Sequence, residues 1–120
     1  MSAAPVVISD EDALSRRIRR DHLRRNGTVS SMAFKQRGTP LAEISVDVAR
    51  LTNLEETIAR GGGGGPFGVA QLLARVPRHL SFEVRHAPEE DNSAHALVVG
   101  DNNDERCALL AEASSVVRRP

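Results

Sequence analysis

Leu41-Ala42-Glu43-Ile44-Ser45-Val46-Asp47-Val48 alternates apolar and polar residues over its second half. Ile44, Val46 and Val48 fall on one face and Ser45 and Asp47 on the other, the two-residue period of a strand with one buried side. Downstream, Asn53 or Thr52 can cap a helix that carries Glu55 and Glu56 in its first turn and turns Leu54, Ile58 and Leu51 inward. That helix must end at Gly61, where Gly61 to Gly65 form a flexible loop inside the domain. Pro66 is placed to open a second helix through Phe67, Val69, Ala70, Leu72, Leu73 and Val76, and Pro77 to stop it. Leu80 to His86 alternates again as a third strand, and the more continuously apolar Ala94 to Val99 reads as a fourth, central one. A last helix is expected from Asn103 to Val117, with Cys107, Leu110, Ala111, Ser114 and Val117 on one stripe.

Upstream of Leu41, Arg37-Gly38-Thr39-Pro40 is a turn and Thr28 to Phe34 reads as a strand. The piece around Leu14-Ser15-Arg16-Arg17-Ile18 fits either a helix capped by Ser9 or Asp10 or a short strand with two apolar ends. Residues 1–12 are expected to be a tail or edge segment, and residues 13–120 a single domain. The element pattern is α+β, with a mostly antiparallel sheet of about four strands and two or three packed helices.

Composition narrows the class. A chain of 120 residues buries about two thirds of the surface that its unfolded form exposes, enough for one core. Cys107 is the only cysteine, so the chain is neither a disulfide knot nor a cysteine zinc ribbon, and a cytoplasmic location is expected. No apolar run approaches a membrane span, and the Ala3 to Ile8 stretch lacks the basic flank of a signal peptide. Neither a cofactor motif nor an internal repeat is present: the glycine run lacks the Gly-Lys-Ser or Gly-Lys-Thr ending of a phosphate loop.

Charge is balanced overall but not along the chain. Residues 1–40 carry eight basic and four acidic groups, and residues 41–120 carry eight and twelve. If the first element is a helix, Arg16, Arg20 and Arg24 line one face, fit to contact nucleic acid or an acidic partner; the alternative is a solvated face. Three Phe with no Tyr or Trp leave little for bases to stack on. His86 and His95 close one strand and open the next, so they are candidates for general acid or base work. With a carboxylate of Glu89-Glu90-Asp91 they would also offer metal ligands, although the spacing matches no metal motif and none is assigned. Arg17, Ser30, Ser31 and Asp47 are candidate ligand-binding groups, since arginine beside hydroxyls suits an anion. Cys107, on an apolar stripe, reads as core.

The ordered pieces Leu14-Ser15-Arg16-Arg17-Ile18, Ser30-Ser31-Met32-Ala33-Phe34, Ile44-Ser45-Val46-Asp47, His86-x-Pro88 and Ala94-His95-Ala96-Leu97-Val98-Val99-Gly100 resemble a group of short uncharacterised bacterial proteins of similar length. The resemblance spans about residues 10–117 and implies that Arg17, Ser30, Ser31, Asp47 and His95 belong to a shared pattern; it implies no activity. The glycine run and Arg19 to Arg25 depart from that pattern. The expectation is a small intracellular binding or interaction module for an anionic ligand or a protein partner. The alternatives are an enzyme acting on a nucleotide or nucleic-acid phosphate and a nucleic-acid binder through the arginine run.

Overall fold

The structure, a computed structural model, describes residues 6–36 and 41–120. The first five residues of the expected tail and the turn at Arg37-Gly38-Thr39-Pro40 lie outside the described residues. In chain order the elements are β1 (Ala13–Arg19), β2 (Ala42–Val48), α1 (Leu54–Ala59), β3 (Phe67–Leu73), α2 (Arg75–His79), β4 (Glu83–His86), β5 (His95–Gly100), α3 (Asp104–Ala113) and β6 (Ser115–Arg118). The strands form one sheet in the order β4-β5-β2-β1-β3-β6, antiparallel throughout. This is the expected α+β class, with six strands where the sequence marks four. Among the described residues no helix is long and apolar enough to cross a membrane.

One face of the sheet is apolar. Leu14, Ile18, Ile44, Val46, Val48, Ala70, Leu72, Ala96 and Val98 are buried with Phe34, Cys107, Leu110 and Ala111, so the 3-10 turn Ser31–Phe34 and α3 cover that face. Each large side chain buried there contributes roughly 1.5–3 kcal/mol relative to exposure. Ser15 and Arg17 on β1 and Ser45 and Asp47 on β2 point the other way, which fixes the second face as the polar one. Ladder pairing with the strand Phe67–Leu73 makes the first element a strand, and Arg16, Arg20 and Arg24 therefore do not share a helical face.

Four further expectations are corrected. Residues 66–76 are not a helix: Phe67 to Leu73 form β3, laddered to β1 from Ala13↔Leu73 to Arg19↔Phe67. Buried Val69 lies on one face of β3 and buried Ala70 and Leu72 on the other. Pro77 lies in the first turn of α2, where the absent N–H breaks no helical bond. Thr28 to Phe34 is not a strand, because Ser30 Oγ accepts from Met32 N at 3.2 Å and starts the 3-10 turn. The last helix stops at Ala113, and Ser115–Arg118 pairs with β3 as an edge strand. Gly68 permits that pairing, since a Cβ there would collide with the backbone at Arg118 to Pro120.

Residues 6–12 are fastened to the domain. Ile8 is buried, Arg78 donates to Ile8 O at 2.6 Å and to Asp10 at 2.7 Å, and Arg50 donates to Asp12 at 2.7 Å. The Arg50 hydrogen bond holds the Asp12 carboxyl below its ordinary value, against the opposing effect of burial. A depressed folded-state value stabilises the fold above the ordinary carboxylate range and is lost as pH falls through the folded value. Arg50→Ala is therefore expected to lose about 1 kcal/mol at neutral pH, given the half-exposed arginine. Urea unfolding at a series of pH values should show the difference from wild type closing in acid.

Candidate functional site

The site begins where the central strands part. β1 and β2 pair only at Leu14↔Val48 and Ser15↔Asp47, whereas their outer neighbours ladder along most of their length. Beyond Ser15 the seam opens, and backbone groups of β2 that would pair with β1 need other partners. Gln36 supplies two of them: its Nε2 donates to Glu43 O at 2.7 Å and its Oε1 accepts from Glu43 N at 2.8 Å. Arg16 supplies the next, donating from Nη1 to Ser45 O at 2.9 Å and from Nε to Ala33 O at 3.0 Å. A guanidinium thus stands in place of a stretch of strand. Burial, with a smaller contribution from neighbouring Arg17, pulls Arg16 down to about 10, and it remains a cation at neutral pH.

The polar face carries Ser15, Arg17, Ser45, Asp47, Gln71 and His95, brought together by register: Ser15↔Asp47, Ser15↔Gln71 and Asp47↔His95. Asp47 is buried and accepts from Thr57 Oγ1 at 2.7 Å, Arg60 Nη1 at 3.0 Å and Asn92 Nδ2 at 2.9 Å. One carboxylate therefore ties α1 and the loop 87–94 to the sheet. Arg17 donates to Thr57 O at 3.1 Å, which steers its guanidinium under the same helix.

Two cavities share Arg16 and Arg17 as a common wall. The smaller, about 180 Å³, is lined by Ser15, Ser45, Asp47, Arg60, Asn92 and His95, with Glu89 and Asp91 at its rim. The larger, about 490 Å³, is lined by Arg19, Asp21, His22, Lys35, Met32 and Phe67. Its charged side chains are mostly cationic, and Met32 and Phe67 give it an apolar wall. Burial lowers the His22 imidazole, whose Nδ1 accepts from Arg19 N at 3.1 Å.

Of the residues singled out from sequence, Arg16, Arg17, Asp47 and His95 converge here. His86 does not. It pairs with Ala96, one residue beyond His95, so the two imidazoles project to opposite faces and cannot share a ligand. His86 is committed to scaffold, with Nδ1 accepting from Val6 N at 3.0 Å and Nε2 donating to Ser93 O at 2.8 Å. Ser30 caps its turn and Ser31 opens it, and neither lines these cavities. Arg20 lies in a 3-10 turn, and Arg24 lines a separate cavity against α3. Among the described residues no three His, Cys, Asp or Glu side chains converge as metal ligands. Cys107 is buried and donates to Asn102 O at 3.2 Å, and burial raises its thiol, so it belongs to the core. Ser45, Arg60 and Asn92 are site residues that sequence reading did not select; the Ser45 and Asp47 alternation was the signal for the first.

The chain matches no protein-family model, no curated protein and no solved structure.

Asp47 is the junction of the site. Asp47→Ala would leave the Thr57 and Asn92 donors unpaired and Arg60 with Glu56 as its remaining carboxylate partner, an expected loss of about 2 kcal/mol. Urea unfolding measures it; an unchanged midpoint would mean that the network does not hold α1 on the sheet.

Proposed function

We propose that the chain is a small anion-binding module and that the cleft between β1 and β2 takes a phosphate-bearing ligand. The observation that carries this reading is the state of Arg16 and Arg17. Both are partly buried, both donate only to backbone carbonyls, and neither has a carboxylate partner among the described residues. The remaining residues, 1–5 and 37–40, contain no Asp or Glu. Adjacent partly buried cations without a counterion are unfavourable unless an anion completes them.

The donor arithmetic agrees. Arg16 Nη2 and Arg17 Nε and Nη2 are committed to no group in the described residues, and guanidinium forks match phosphate oxygens bidentately. Their placement depends on the seam. Neighbouring strand residues ordinarily face opposite sides, but Arg16 lies in the gap between strands and so shares a wall with Arg17. Phe67 and Met32 in the larger cavity favour a ligand that joins the anionic group to an apolar or planar part. The nucleic-acid reading has lost the stripe on which it rested, since Arg20 and Arg24 lie outside this wall.

Calorimetric titration with inorganic phosphate and with pyrophosphate tests the proposal. Wild-type protein should bind, more weakly as salt rises, and Arg17→Ala should lose tenfold or more, as expected for a charge-assisted bond of about 1.5–3 kcal/mol. Equal affinity in wild type and Arg17→Ala would remove the cleft as the anion site.

A further inference from the structure

The smaller cavity holds more than cations. Ser45 Oγ lies 3.2 Å from His95 Nε2, and His95 Nδ1 lies 2.7 Å from Ala87 O. A carbonyl oxygen only accepts, so Nδ1 carries the ring proton. In the neutral ring Nε2 is then an acceptor, and the Ser45 hydroxyl donates to it. Hydroxyl, base and orienting group stand in the order that activates a serine nucleophile, with a backbone carbonyl in the third place. The Glu89 carboxylate, 3.9 Å from Nδ1, adds a negative group on the same side.

Two strands hold this pair rigidly. Asp47 is the register partner of His95, and Ser45 is two residues back on the same face, the diagonal relation through which side chains meet across an antiparallel ladder. Ser45 and His95 are both partly buried and both line the cavity, so the contact opens to a space where a reacting group can sit. Arg16 lies within reach, since it donates to the carbonyl of Ser45 itself. Arg17 lines the same cavity, as do Arg60, which donates to Asp47 and Glu56, and the carboxylates of Asp47, Glu89 and Asp91. Developing negative charge on a phosphoryl group bonded to Ser45 would therefore face guanidinium donors already in position.

We propose that Ser45 is a nucleophile activated by His95 and that the cleft transfers the phosphoryl group of a phosphate ester to water. The proposal rests on the reading of the cleft as an anion site. In the first step a bond forms from Ser45 Oγ to phosphorus as the bond from phosphorus to the leaving alkoxide breaks. The hydroxyl proton passes to His95 Nε2, and the leaving oxygen, in line on the far side of phosphorus, takes a proton from water to release an alcohol. In the second step water attacks phosphorus opposite Oγ and gives a proton to solvent, and the phosphorus bond to Oγ breaks as Oγ takes back the proton held by His95. The sum is ester plus water giving alcohol plus phosphate, with no oxidant, reductant or metal required.

A fluorophosphonate probe tests the nucleophile without knowledge of the natural ester. It phosphonylates an activated serine with loss of fluoride, and peptide mapping by mass spectrometry locates the adduct. The expected result is a single adduct on Ser45, absent in Ser45→Ala and formed about a hundredfold more slowly in His95→Gln. Should His95→Gln fail to fold, the position of the adduct in wild-type protein decides alone. Phosphate binding by wild type without an adduct on Ser45 overturns the nucleophile and leaves the anion site standing; absence of both overturns the two together. An adduct that forms equally fast in folded His95→Gln also overturns the role given to His95.

Discussion

The guanidinium of Arg16, wedged between two strands that have ceased to pair, is the interaction on which the rest of the site depends. A strand pair that opens in the middle of a sheet leaves backbone groups to be satisfied, each worth about 1–3 kcal/mol if buried without a partner. Arg16 satisfies Ser45 O and Ala33 O together, and Gln36 satisfies both backbone groups of Glu43. The opening is therefore a stable feature of the sheet rather than a frayed end. It also brings a charge from the apolar side of β1 into the wall of a polar cavity, which no regular ladder would do.

The division of labour between the two faces follows. One face is a conventional core under α3 and the 3-10 turn. The other buries polar groups, and it can do so because Asp47 receives three donors, from Thr57, Arg60 and Asn92. Satisfied networks of this kind fix side-chain positions as well as elements. Arg17 is held by Thr57 O and His95 by Ala87 O, so the groups facing the cavity are oriented before any ligand arrives. Preorganisation of that kind is what both binding an anion and stabilising a phosphoryl group demand.

Legibility in the sequence tracks how much each element depends on distant partners. β2 alternates because one face meets the core and the other meets the network, and its period was visible. β3 resembles a helix in sequence because both of its faces are covered and its apolar run carries no two-residue signal. β1 was ambiguous because Arg16 interrupts the apolar positions Leu14 and Ile18, a break whose reason lies in Gln36, Ala33 and Ser45, far along the chain. β6 continues the stripe of α3 in sequence, so only its pairing with β3 separates the two. Arg17, Asp47 and His95 stand out by residue type, whereas Arg60 and Asn92 join the site only through hydrogen bonds to Asp47 and look like ordinary surface residues in sequence. His86 and His95 flank one short loop in sequence, yet one register step places them on opposite faces.

The most direct test of the account is a titration of isotope-labelled protein with inorganic phosphate, followed by NMR at the arginine Nε and backbone amide signals. Shifts concentrated at Arg16, Arg17, Ser45 and His95, saturating together with one affinity, are the predicted result. Shifts centred on Arg24 and Arg25, or spread over the exposed arginines without saturation, would contradict it and return the seam between β1 and β2 to a purely structural role.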